Sequence, residues 1–380
     1  MADDFKVTPW EVSGNIDYDK LIAEFGVEKL NDAMLERIKK HTKDLHFMLR
    51  RKIFFAHRDM KWLLDEYEKG NKFYLYTGRG PSGYMHLGHL FPLEFTKWLQ
   101  DKFDAELYFQ FTDDEKFLFK QELDFDKVEY YLKDNMLDVI ALGFDPKKTH
   151  FIIDTRDAGL MYKEACKVAK KITFSMVKST FGMTNENNIG SIFYTSMQAV
   201  PAFLPSVLKG KEIPCLIPHA VDQDPHFRLT RDILPKLGHY KPASIQCMFL
   251  PPLGGVEGKM SASAASEQAI FTTDTPEVVK KKINKYAFSG GQTSIEEHRK
   301  KGGNPDIDVS FQYLRMLFEP DDKKLQQIYE DYKTGKLLTG ELKAILIEKV
   351  NAFLKHHQAE REKAKSKVDK YLLKRNCSAF

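Results

Sequence analysis

Phe73, Tyr74, Leu75 and Tyr76 form an apolar run bounded by Gly70 and Gly78, and this run predicts a buried strand. It passes into Gly78, Gly80 and Gly83, a turn whose backbone can come close to a ligand. Pro92 suits the first turn of a helix far better than its middle, so a helix is expected to begin near Gly88 and His89 and to continue through FPLEFTKWLQDKF. ELYFQF, residues 106–111, predicts a second strand, in which Gln110 is a polar residue in apolar company. CLIP, beginning at Cys215, and IQCMFLPPLGG, ending at Gly255, predict two further strands, the latter running into a loop with Gly254, Gly255 and Gly258. Between these halves, Lys116 to about Glu212 reads as mostly helical, and from about Pro276 the pattern is helical to the end. Residues 1–60 alternate between turn signals and an amphipathic segment, Tyr18 to Lys40. RRKIFFAHRDM then leads into a helix, MKWLLDEYEKG, that ends at Gly70 in the manner of a C-cap.

Strands alternating with helical stretches predict an α/β fold, a Rossmann-like parallel sheet that binds a nucleotide. The 380 residues, 42% of them hydrophobic, are enough for two or three domains with real cores. The expected division is an appended N-terminal segment over 1–60, a catalytic domain over 61–275 and an all-α domain over 276–380. A helical insertion at about 117–212, which includes the Met- and Phe-rich VAKKITFSMVKSTFGM, falls within the catalytic domain.

Net charge is +4 but unevenly placed: from Pro276 onward 22 Lys and Arg face 15 Asp and Glu, and before it 36 face 39. A basic helical appendage on a nearly neutral body suits a polyanion such as RNA, and a solvated lysine-rich face explains it equally well. MADDFKVTPW has neither a basic n-region nor an apolar h-region, and no apolar run reaches membrane-spanning length, so a soluble cytoplasmic protein is expected. Cys166, Cys215, Cys247 and Cys377 are scattered without a CxxC, which points to reduced, mostly buried thiols and to no protein-built metal site.

Candidate chemistry concentrates after the first strand. MHLGH, residues 85–89, sets His86 and His89 at a helix start, where backbone amides and the helix dipole favour an anion, with Gly88 leaving room for a flat ring. GRGPSG at 78–83 fits GxGxxG, but a dinucleotide helix running on from it would bury Pro92 in its middle. A Walker loop is excluded because Tyr84 follows Gly83. Taken alone, HLGH is equally explained by two histidines capping a helix. Past the second strand, TDDEK places Asp113, Asp114 and Glu115 at the carboxyl end where open α/β sheets bind ligands; a solvated acidic turn is the plainer reading of the two aspartates. Asp222, Gln223 and Asp224 follow the CLIP strand in the same way. Gln198, in SMQAVPAF, is a buried polar group that needs a partner. His356 and His357 read as surface residues of a solvated helix.

MHLGH at 85–89 and KMSAS at 259–263 resemble the HxGH and KMSKS signatures of the class I aminoacyl-tRNA synthetases. TDDEK at 112–116, DQDPHFRLTRD at 222–232, AFSGG at 287–291 and GELK at 340–343 are similar to the tryptophan branch of that family in its eukaryotic cytosolic form. Each motif alone is weak, but their order and spacing are specific, and the resemblance runs from about Pro9 to the C-terminal helices. It implies an enzyme that joins L-tryptophan to ATP as tryptophanyl-adenylate, releasing pyrophosphate, and then transfers tryptophan to the 3′ end of tRNA(Trp). It implies His86, His89 and Lys259 as the catalytic groups, and Arg79, Gly88, Lys259, Met260, Ser261 and Ser263 on ATP. For tryptophan it implies Tyr76 and Gln110 on the indole N–H, with Glu115, Gln198 and Gln223 on the ammonium and carboxylate. Mg²⁺ would come with ATP, a homodimer would form partly through the insertion, and the C-terminal helices would hold the anticodon.

The sequence departs from the family pattern twice. Ala262 stands where KMSKS has its second lysine, as it often does in the eukaryotic tryptophan branch, and GGQT at 290–293 lacks the Arg-Asp pair of GGRDT. Indole N–H only donates, so the pocket needs an acceptor, whereas a phenol would donate and accept; that chemistry separates this reading from the tyrosine branch. A catalytically inactive RNA-binding paralogue has no physical need to keep both signatures. Nucleotidyltransferases with HxGH are usually shorter and lack the basic tail.

Overall fold

The computed structural model describes residues 5–7, 12–14, 16–260 and 266–374, with only the backbone described at 5, 6, 12, 13 and 266. In chain order its strands are β1 (Phe5–Val7), β2 (Val12–Gly14), β3 (Glu28–Lys29), β4 (Phe54–Arg58), β5 (Tyr74–Arg79), β6 (Leu107–Phe111), β7 (Thr149–Ile153), β8 (Cys215–Ala220) and β9 (Ala243–Cys247). The first two form a hairpin, and the other seven form one sheet in the order β3-β4-β9-β8-β5-β6-β7. The five strands from β9 to β7 run parallel, while β4 and β3 are added antiparallel at one edge. The sheet is therefore mixed, with the expected parallel core.

Side-chain alternation splits that core into two layers. Leu75, Leu107, Phe109, Phe111, Phe151 and Leu216 belong to one buried cluster. Tyr74, Tyr76, Tyr108, Ile152 and Ile217 belong to the other. Each fully buried Leu or Phe contributes about 1.5–3 kcal/mol, so both faces must be covered, and helices cover them. Gln110 sits between Tyr108 and Phe111 at 0% exposure and pairs across to Gly78 and Ile152, so a polar side chain is built into the second layer.

Several elements differ from the sequence pattern. IFFAHR, read as the approach to a helix, is strand β4, because pairing with β9 leaves Phe54 to Ala56 buried. THFII, inside the stretch expected to be mostly helical, is strand β7, its backbone paired in register with β6. The expected insertion thus includes a strand of the main sheet, and the segment before residue 60 supplies two more. The helix after the turn is Leu87–Phe103, beginning one residue earlier than expected, and Pro92 falls in its second turn, where it has no N–H to offer the Gly88 carbonyl. His356 is exposed, but His357 is buried: its Nε2 lies 2.8 Å from Asp138 on helix Phe125–Ala141. Arg361 pairs with the same Asp138 and with Asp134 at 2.6 Å, so the long C-terminal helix Thr339–Ala364 is fastened to helix Phe125–Ala141 by a buried polar cluster. Cys215 and Cys247 are buried and Cys166 is exposed; Cys377 lies outside the described residues.

Candidate active site

Strand order reverses between β5 and β8: β6 and β7 lie to one side of β5, and β8 and β9 to the other. At such a reversal the loops leaving the two strands diverge and open a crevice at the carboxyl end of the sheet. A cavity of about 300 Å³ occupies that place, bounded by Thr77 to Gly80 at the carboxyl end of β5, Pro218 to Ala220 of β8 and the start of helix Leu87–Phe103. Arg79, His86, Gly88, His89, Glu115, Gln198, Gln223, Lys259 and Met260 all line it. Arg79 and Met260, 181 positions apart in sequence, therefore meet at one cavity.

His86 and His89 stack with ring centroids 3.5 Å apart. The His86 backbone N–H donates to His89 Nδ1 at 3.2 Å, which makes Nδ1 the acceptor and leaves the proton of the neutral ring on Nε2. Burial pushes the His86 ring down to about 3, helped by the charges of Arg79 and Lys259, and His89 is driven well below its usual value by the same causes. Both are neutral at physiological pH, so they offer N–H groups to a phosphate but no charge. The room expected at Gly88 is filled: a Cβ there would lie 3.1 Å from the His86 ring and 3.2 Å from Met260 Cβ. The glycine instead lets the two signature segments approach each other.

Positive charge comes from Arg79 and Lys259. Burial lowers Arg79 to about 10, still fully charged at neutral pH, and its Nε is buried without a hydrogen-bond partner. A buried donor left unpaired is costly, and an anion in the crevice would satisfy it. Lys259 Nζ is bound to Asp222 Oδ2 at 2.5 Å, with Phe249 beneath it at 5.9 Å. Asp222 comes from the 3₁₀ turn Val221–Gln223 directly after β8, and sequence reasoning had not joined it to the lysine. Ser261 and Ser263 lie outside the described residues.

On the opposite side, Tyr76 and Gln110, expected on the indole N–H, do not line the cavity; they lie beneath it, at 1% and 0% exposure. The Tyr76 hydroxyl donates to Gln110 Oε1 at 2.6 Å and lies 3.0 Å from the Gln198 carbonyl, and Gln198 Nε2 approaches Tyr76 at 3.3 Å. Tyr194 donates to Gln198 Oε1. Glu115 accepts from Thr112 Oγ1 and from Lys116 Nζ, each at 2.6 Å. Burial alone would raise it, but the charge of Lys116 and these hydrogen bonds hold its carboxyl below the usual range. Gly80 leaves room for this pair: a Cβ there would lie 1.9 Å from Lys116 Cε, so the lysine would have to shift.

The acidic neighbours divide by role. Asp113 is not a solvated turn residue; it is 5% exposed and binds the Thr155 backbone N–H at 3.0 Å and its hydroxyl, fixing the start of helix Asp154–Ala169. Asp224 is bound by Arg58 at 2.7 Å and Gln246 at 2.6 Å, tying helix Asp224–Ile233 to β4 and β9. Asp154, unforeseen from the sequence, accepts from Gln110 Nε2 with both oxygens at 2.9 Å. Among the described residues, no group of three or more His, Cys, Asp or Glu is placed to hold a metal ion.

Comparison with known proteins agrees with this geometry. A family model described as tRNA synthetases class I (W and Y) matches residues 68–355. The tryptophan–tRNA ligase of Sulfolobus acidocaldarius is 54% identical over 370 residues, 97% of this chain and 95% of that protein. The tryptophan–tRNA ligase of Pyrococcus furiosus is 52% identical over 98% of this chain and 94% of that one. The crystal structure of Plasmodium falciparum tryptophanyl-tRNA synthetase superposes with a TM-score of 0.88 at 43% identity, covering 94% of this chain and 97% of its own.

Proposed function

This chain belongs to the class I tRNA synthetases (W and Y), and we propose that it is a tryptophan–tRNA ligase, activating L-tryptophan with ATP and passing it to the 3′ end of tRNA(Trp). One observation carries the reading: His86, His89, Arg79 and Lys259 line the same cavity as Glu115, Gln198 and Gln223, so a phosphate side and an amino-acid side share one volume.

In the first step the tryptophan carboxylate, already ionised, attacks the α-phosphorus and pyrophosphate leaves, so no general base is required. Alignment and neutralisation of growing negative charge do the work. The neutral His86 and His89 rings donate N–H groups from the helix start, and Arg79 and Lys259 carry the charge. Lys259 first exchanges Asp222 for the phosphates, and three preceding glycines let its loop close and reopen. Tyr76 and Gln110 supply acceptors for the indole N–H; Glu115, Gln198 and Gln223 hold the ammonium and carboxylate. Mg²⁺ would arrive with ATP and would neutralise charge on its phosphates, since among the described residues no group of three or more His, Cys, Asp or Glu is placed to hold it. In the second step the tRNA 3′-terminal ribose hydroxyl attacks the acyl carbon and AMP leaves.

The C-terminal helical part, beginning at about Pro276, holds the anticodon in this reading, supported by its surplus of Lys and Arg. A homodimer is supported by large apolar side chains exposed on the stretch between residues 117 and 212: Tyr162 at 60%, Phe174 at 38% and Ile189 at 85%. Assignment to the eukaryotic cytosolic form rests on KMSAS and on the likeness to the Plasmodium structure; the Sulfolobus and Pyrococcus relatives are archaeal and more nearly identical. No described helix is long and apolar enough to cross a membrane, and the cytoplasm is where we place the activity.

The test is ATP–pyrophosphate exchange with each of the twenty amino acids and no tRNA. Exchange with tryptophan alone supports the reading. Exchange with tyrosine instead, or with none, overturns it.

A further inference from the structure

An amide side chain is ambiguous: one end donates and the other accepts, and only the accepting end serves an indole N–H. Gln110 is fully buried, so whatever contacts its far side decides which end it presents. That contact is Asp154, the first residue of helix Asp154–Ala169, at 1% exposure and 2.9 Å from Gln110 Nε2 through both carboxyl oxygens. Its grip commits the NH₂ group to the carboxyl, leaving Oε1 to accept the Tyr76 hydroxyl at 2.6 Å. Tyr76, having given its proton to Gln110, keeps two oxygen lone pairs, one approached by Gln198 Nε2 at 3.3 Å and one left for a further donor. Without Asp154 the amide could rotate by half a turn and offer its NH₂ to Tyr76, whose hydroxyl proton would then point elsewhere.

We propose that Asp154 is a specificity-determining positioning residue, which holds the Gln110 amide in the orientation that makes the Tyr76–Gln110 pair an acceptor for the indole N–H. The inference rests on the tryptophan–tRNA ligase reading above.

The far side of Asp154 meets Asp114, and the two carboxyls hydrogen-bond to each other. Burial and the neighbouring Asp114 charge raise Asp154 well above the usual carboxylate range, and burial raises Asp114 to about 6. A carboxyl shifted in this direction favours its protonated form, which donates toward Asp114 while still accepting from Gln110. A protonated aspartate in this role is matched atom for atom by asparagine, whose NH₂ faces Asp114 and whose oxygen faces Gln110. Leucine, of similar size, has no acceptor.

The test compares kcat/KM in ATP–pyrophosphate exchange for tryptophan and for 3-(benzothiophen-3-yl)-L-alanine, in which sulfur replaces the ring N–H. Wild type should favour tryptophan strongly. Asp154→Leu should reduce that preference at least about tenfold, the scale of one buried hydrogen bond lost or left unpaired, whereas Asp154→Asn should stay within about threefold of wild type. Asp154→Ala carries the same expectation should the leucine variant fail to fold. A merely structural role would lower both substrates by the same factor and leave the preference intact, and that result overturns the inference. So does a loss of preference in Asp154→Asn equal to that in Asp154→Leu. Wild type that does not exchange with tryptophan overturns the underlying function instead, so the two failures are distinguishable.

Discussion

Lys259→Ala removes more than a cation. The lysine is bound to Asp222 at 2.5 Å, and Asp222 is itself only 4% exposed. Losing one preorganised donor to a developing phosphate charge costs about 10²–10³-fold in rate. The substitution also strips the aspartate of its partner and leaves an anion facing the polyphosphate. One unit of charge about 5 Å away at an effective dielectric of about 20 contributes on the order of 3 kcal/mol of repulsion, before counter-ions and protonation reduce it. Lys259→Ala should therefore slow adenylate formation by 10²-fold or more, and Asp222→Ala added to it should recover about tenfold although no cation returns. The assay is single-turnover adenylate formation in rapid quench at saturating ATP and tryptophan, with all four members of the cycle. A loss under about threefold in Lys259→Ala would remove the lysine from the phosphate site. A double variant no faster than Lys259→Ala would show that Asp222 does not face the phosphates once its lysine is gone.

Three further expectations follow from the same contacts. His86 at about 3, His89 well below 6.5 and His226 at about 4 are buried neutral, so the unfolded chain takes up protons that the folded one does not. Stability should be complete above about pH 6.5 and fall steadily as pH drops below it, measured by urea unfolding; a flat profile would contradict the burial of these rings. Asp138→Ala leaves His357 and the buried Arg361 short of a partner and should cost about 3 kcal/mol, seen as a lower denaturation midpoint; a change under about 1 kcal/mol would mean the cluster does not fasten the C-terminal helix. Affinity for tRNA(Trp) should weaken steeply between low and moderate salt, whereas a Kd independent of salt would remove the basic helical part from the contact.

The local signals in this sequence were the reliable ones. The Phe73–Tyr76 run, the glycine turn and MHLGH predicted strand, turn and helix within a few residues, because turn chemistry and periodicity act over short range. Gln110 and Gln198 announced themselves by being polar in apolar surroundings, and they meet at Tyr76. What could not be read depends on which surfaces the sheet brings together. Asp154 follows THFII, a run too short to distinguish strand from buried helix, and its contact with Gln110 exists only because β7 lies beside β6. Nothing local separates Asp222, which binds Lys259, from Asp224, which holds two strands. His357 looked solvated beside His356 because the sequence of a helix about two turns from its end gives no sign of what packs against it.

The chain's last described residues return to the main sheet. Phe151 in β7 donates its N–H to Tyr371 at 2.6 Å and accepts from Leu373 at 2.9 Å, while the Tyr371 ring stacks on Phe151 at 5.2 Å. A parallel sheet ends there in an outer strand rich in apolar residues, and an uncovered strand of that kind invites pairing with another molecule. Residues 371–373 cover part of that rim. Cutting the chain before Tyr371 should therefore uncover that rim far from His86, His89 and Lys259, and the expected result is aggregation, seen as increased light scattering.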